Sequence, residues 1–153
     1  TCFTGDVAGM RVPGTDHPIL PLAPPEFDPE AWNASLDRID ALGFDALELT
    51  HFGRVETPRD HLERVRDQLR WEISLAIRLL EAPGLDEPGR IAAYRDRLHQ
   101  RAAADGVADA ARRTYLNDGG ISMNLGGVQR YLKTSRSEPT KADHGSTGGS
   151  STN

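Results

Sequence analysis

Apolar residues recur at helical spacing through most of this chain and at strand density in only two short places. Trp32, Leu36, Ile39 and Leu42 fall three or four residues apart, with Asp37, Arg38 and Asp40 facing away. Asp28-Pro29-Glu30 opens that stretch with a capping carboxylate, a proline at the first helical position and an acid suited to the dipole. Gly43 offers a left-handed stop, so a helix over 28–42 is predicted. Leu62, Val65, Leu69, Ile73, Ala76 and Leu80 predict a longer helix, opened by Thr57-Pro58-Arg59-Asp60 as a near capping box and closed by Pro83-Gly84. Ile91, Tyr94, Leu98 and Ala102 predict a third over 87–104. A fourth is expected over 107–116, and a last over 122–134 carrying Val128, Tyr131 and Leu132.

The strand-like places are residues 1–4, ended by Gly5, and residues 46–50, Ala-Leu-Glu-Leu-Thr, which run into His51. Between the first strand and the first helix, Gly9, Pro13, Gly14, Pro18, Pro21, Pro24 and Pro25 exclude helix and leave a loop or short hairpin. Helix, short turn and strand over 28–50 read as an α/β layer unit. The expected organisation is an α/β part over 1–57, a helical region over 58–133 and a disordered tail over 134–153. That tail holds one apolar residue, Ala142. No internal repeat is present.

Composition narrows the setting. Hydrophobic residues are 37% and charged residues 27% of 153, low in apolar content for a globular domain, as a solvated tail would make it. The net charge of −5, from 23 acidic against 18 basic residues, provides no footprint for nucleic acid or an anionic membrane surface. Arginines on the C-terminal helices read as a solvated polar face. Cys2 is the only cysteine, so no internal disulfide forms and a reducing, cytoplasmic setting is expected. No apolar run approaches the ~20 residues of a membrane span, and no signal-peptide pattern opens the chain. Thr1 enters a strand directly, and we expect the chain to be a piece of something longer.

Chemistry concentrates in two segments, Thr4-Gly5-Asp6-Val7-Ala8-Gly9 and Leu49-Thr50-His51-Phe52-Gly53. Each places a ligand type where a hydrophobic strand gives way to glycine. Asp6 can bind metal, act as a base or cap its own turn. His51 can bind zinc, manganese or iron, or serve as a hydrogen-bonded structural residue. Thr50 and Gly53 beside it would orient the ring or open space. His17, His61 and His99 read as solvated or structural, and His144 lies in the tail. No pair has the spacing of a self-contained zinc site. Ser35, Ser74, Ser122 and Ser135 sit in no nucleophile elbow, and Gly126-Gly127 is no phosphate loop. Trp32 and Trp71 are expected core residues.

Several segments, taken in order, resemble the C-terminal half of metallo-β-lactamase-fold hydrolases. They are Thr4 to Arg11, the Pro-Pro-x-Phe-Asp-Pro-Glu-Ala-Trp entry at 24–32, Ser35 to Ile39 and Leu49 to Gly53. Asn124-Leu125-Gly126-Gly127-Val128-Gln129-Arg130-Tyr131-Leu132 is similar to the terminal helix of a bacterial branch. The resemblance covers nearly all of residues 1–133. It implies half of a four-layer αββα sandwich, with Asp6 bridging two divalent metals and His51 bound to the second, 45 residues on (51 − 6). Those metals would be zinc, iron or manganese. The substrate would be a small molecule, with Arg11 and loop 12–25 at its pocket. The family's His-x-His-x-Asp-His motif and a further histidine belong to the N-terminal half, and neither occurs here. The expectation is therefore a hydrolase fragment, inactive alone, whose partner is the missing half of the same fold. The alternative is a non-catalytic helical interaction module or a degenerate remnant.

Overall fold

A computed structural model describes residues 1–51 and 53–135. Phe52 and residues 136–153, including His144, lie outside the described residues. The elements run β1 (Cys2–Phe3), a 3-10 turn (Gly5–Ala8), β2 (Met10–Arg11), β3 (Pro18–Ile19), α1 (Pro29–Ala41), β4 (Leu47–Glu48), β5 (Arg54–Val55), α2 (Pro58–Glu81), α3 (Glu87–Ala104), α4 (Asp109–Tyr115) and α5 (Asp118–Ser135). The described chain is mainly helical with a few short strands.

Local chemistry explains most boundaries. Asp28 Oδ1 accepts the N–H groups of Glu30 and Ala31 at 2.9 and 3.0 Å, the cap its position predicts. Asp86 does the same for Gly89 at 2.9 Å at the head of α3. Thr57 makes no side-chain cap bond, contrary to the predicted capping box; Pro58 at the first position of α2 already removes one donor there. Leu42, placed in the buried stripe of α1 by its spacing, is 64% exposed because the helix ends at Ala41. The last helix starts at Asp118 rather than 122. Asn117 Oδ1 accepts from Gly120 N–H at 3.1 Å, so a cap holds Gly119 and Gly120 inside a helix that composition disfavours. That helix also runs through Ser135, two residues into the predicted tail.

The strands form two small sheets. In the first, β1 pairs with β4 in parallel (Cys2 with Leu47, Phe3 with Glu48), and β4 pairs with β5 antiparallel. In the second, β2 and β3 make a hairpin, Met10 opposite Ile19. The proline-rich stretch is thus the short hairpin its composition allowed.

α2 is the central element. It buries His61, Leu62, Val65, Gln68, Leu69, Glu72, Leu75 and Ala76, and it packs against α1, α3, α5 and β3. One core runs from Ala8, Leu20 and Leu22 through Leu47, Val65 and Tyr94 to Leu125 and Val128. The polar face carries paired arginines: Arg66 binds Asp37 and Asp40 on α1 at 3.0 and 3.3 Å, and Arg95 binds Asp118 at 3.1 Å. Among the described residues no helix is long and apolar enough to cross a membrane.

Gly127 shows how tightly α5 is seated. A Cβ there would lie 1.8 Å from the Leu22 carbonyl oxygen, whereas Gly126 has open space. Gly127→Ala should therefore destabilise the fold by about 2–3 kcal/mol through overpacking. Gly126→Ala should be neutral or stabilising by up to about 1 kcal/mol through helix propensity. Urea denaturation of the two variants checks this contrast.

Candidate functional site

The parallel pairing of β1 and β4 brings the two sequence-predicted ligands to one end of one sheet. The register offset is 45 residues (47 − 2 and 48 − 3), equal to the separation of Asp6 and His51. Asp6 lies three residues beyond Phe3 and His51 three beyond Glu48, so both follow the carboxyl ends of adjacent parallel strands. Open α/β sheets place ligands there. Both residues are exposed.

Asp6 is carried on a turn held from two sides. Gly9 N–H donates to the Asp6 carbonyl at 2.9 Å. Trp32 Nε1–H, on α1, donates to the Val7 carbonyl at 2.5 Å. His61 Nε2, on α2, bonds the Ala8 carbonyl at 2.8 Å. The glycines flanking the turn are required by geometry. Gly5 and Gly9 have φ of +57° and +66°, and a Cβ on Gly9 would meet the Ile19 carbonyl oxygen at 2.9 Å. Thr4, buried, joins the strand ends by donating from Oγ1 toward the carbonyl oxygens of Gly5 (3.1 Å) and Glu48 (3.4 Å). The His51 turn is closed by Leu49 N–H donating to the Gly53 carbonyl at 3.1 Å.

Arg11, the predicted substrate residue, is engaged on both sides. Its Nη2 donates to the Arg54 carbonyl on β5 at 3.2 Å, and Nη1 lies 3.7 Å from Asp16 Oδ1. It lines a cleft of about 40 Å³ together with Asp60, His61 and Arg64. Carboxylate and imidazole together suit zinc, iron or manganese. Among the described residues, however, no group of three or more His, Cys, Asp or Glu side chains is arranged to hold a metal ion.

The other described histidines are structural. His17 is buried, with Nδ1 2.7 Å from Asp105 Oδ2, and burial lowers its pKa against the pull of that carboxylate. His99 Nε2 bonds the Leu116 carbonyl at 3.0 Å. Neither Trp32 nor Trp71 is fully buried. Trp32 packs edge-on to Phe27, and Trp71 stacks beneath the Arg101 guanidinium at 4.6 Å.

Sequence reasoning missed one polar group altogether. Glu72 is fully buried at the centre of α2, where Tyr94 Oη (2.7 Å) and Asn124 Nδ2 (3.0 Å) donate to Oε1 and Gln68 Nε2 (3.1 Å) to Oε2. Its signal was available. Glu72 lies three residues after Leu69 and four before Ala76, inside the apolar stripe of the helix. Burial raises its pKa, and the three donors act against that rise.

No protein-family profile, curated protein or solved structure matches this chain.

Burial also lowers the pKa of His61, with its bond to the Ala8 carbonyl acting the other way. The unfolded chain therefore takes up this proton first as the solution is acidified. The His61 contribution to stability is full above the ordinary value of 6.5 and declines as pH falls below it. His61→Gln keeps an amide donor and removes the titration. Unfolding free energies between about pH 7.5 and pH 5 should thus fall less steeply in the variant than in the wild type. Urea titrations of both proteins across that range measure the difference.

Proposed function

We propose that this chain is the C-terminal part of a metal-dependent hydrolase of the metallo-β-lactamase fold, with Asp6 and His51 among its metal ligands. The observation that carries the reading is the shared offset: in a parallel register of 45 residues, the carboxylate turn and the imidazole turn each follow the carboxyl end of one of two paired strands. The pinning of the Asp6 turn by Trp32 and His61 supports it, because a catalytic ligand must be rigidly aimed. Phe3, 85% exposed on the edge strand β1, fits a sheet that continues or is covered in a fuller αββα sandwich.

In this reading Asp6 and His51 hold a pair of divalent metals together with histidines of the N-terminal half. Bound metals of this kind supply an activated water for attack on an ester, thioester, lactone, amide or phosphoester. The chain's own contribution is to aim the two ligands, and Arg11 borders the cleft on the β5 side of the sheet. Zinc is the favoured metal, with iron or manganese as options. Alone, the chain would bind metal weakly and turn over no substrate.

The second reading, a helical module without chemistry, draws on the closed core that α2, α3 and α5 make with the segment around Leu22. The coding sequence before Thr1 separates the two. An in-frame His-x-His-x-Asp-His favours the hydrolase, and its absence favours the module.

Both ligands are exposed, so Asp6→Ala and His51→Ala should change stability by no more than about 0.5 kcal/mol. Joined to the histidine-bearing half, each should lose bound metal and more than about 100-fold in hydrolysis, beyond the cost of removing an outer-shell partner. Metal analysis of the purified proteins tests the assignment, and unchanged stoichiometry in both variants rejects it.

A further inference from the structure

A second site lies away from the strand ends, where α2, α3 and α5 meet the hairpin. A cavity of about 150 Å³ opens there, walled by apolar side chains that include Ile19, Leu20, Leu98, Leu116, Ile121 and Met123. That volume matches an engineered apolar cavity able to hold benzene. Among the described residues Glu72 is the only acidic one lining it, and no lysine or arginine does. His17 also borders the cavity, but burial favours its neutral form and its Nδ1 is turned onto Asp105.

Glu72 is unusual for a fully buried carboxylate because every donor touching it is neutral. Tyr94 and Asn124 share Oε1, while Oε2 receives only Gln68. Arg101 acts on it at a distance, its guanidinium stacked over Trp71. Buried charges are normally paired, and one without a cation in contact carries a large desolvation cost. Oε2 thus carries one donor against two on Oε1, and Glu72 lines an apolar space of ligand size.

We propose that this cavity binds a small organic ammonium, an apolar body of about phenyl size whose cationic head hydrogen-bonds Glu72 Oε2. The apolar walls take the body and the buried carboxylate selects the charge. The site is independent of the metal-ligand turns and stands or falls separately from them.

The test is calorimetric titration of the protein with benzylammonium and, as a neutral partner of similar shape, benzyl alcohol. Wild-type protein should bind benzylammonium saturably at one site and at least about tenfold more tightly than benzyl alcohol. Glu72→Gln should erase that preference while still binding benzyl alcohol. Met123 is 43% exposed and stands at the rim. Met123→Trp should block both ligands without lowering the melting temperature, and it serves even where Glu72→Gln folds poorly. The proposal is overturned by equal affinity for the two probes in the wild type, by the absence of saturable binding, or by benzylammonium binding that survives Met123→Trp.

Discussion

One buried amide, Asn124, uses both of its donors and its oxygen to join three parts of the chain. Its Oδ1 accepts the Leu22 N–H at 2.8 Å, and its Nδ2 donates to the Leu20 carbonyl at 2.7 Å and to Glu72 Oε1 at 3.0 Å. The segment through Leu20 and Leu22 belongs to no sheet, so its buried backbone groups have no ladder to satisfy them. Leaving such groups unpaired costs about 1–3 kcal/mol each. Asn124 removes that cost at two of them and anchors the buried acid of α2 with the same side chain. Gly127, one helical turn on, lets the backbone of α5 come close enough for those bonds to form.

The consequences reach the strand ends. The segment fixed by Asn124 continues directly from β3, and β3 pairs with β2 just after the Asp6 turn. Gly9 packs against the Ile19 carbonyl, so the hairpin and the turn are in contact. Trp32 from α1 and His61 from α2 then fasten the two carbonyls that follow Asp6. An exposed carboxylate thereby sits on a support whose neighbours are buried, the arrangement that the proposed metal role requires.

Much of this was legible from residue order, and the exceptions have definite causes. Helices α1 to α3 are written in apolar spacing and, for α1 and α2, in prolines and the Asp28 cap, all of them local signals; the Asp86 cap of α3 emerges only in the structure. The strands are only two residues each, yet Cys2-Phe3 and Leu47-Glu48 could be found because glycine or a ligand segment follows. The start of α5 was hidden because Gly119 and Gly120 argue against a helix that Asn117 caps and tertiary packing holds. Glu72 was hidden for a different reason: its partners, Tyr94 and Asn124, lie 22 and 52 residues away, and no local pattern links them. His61, read as solvated or structural, is structural, and its partner, the Ala8 carbonyl, lies 53 residues away where no local pattern points to it. Asp6 and His51 are paired in the sequence only through the family resemblance; the strand register adds that both follow the carboxyl ends of paired strands.

The central claim is that Asp6 and His51 belong to one site, and a paramagnetic titration addresses it most directly. Substoichiometric Mn²⁺ added to the isotope-labelled chain should broaden the backbone amide signals of Asp6 and His51 together, at the same metal concentration. The effect on both should vanish when either residue is replaced by alanine. Broadening that reaches only one of the two turns, or that instead centres on the acidic surface around Asp37 and Asp40, would contradict the account.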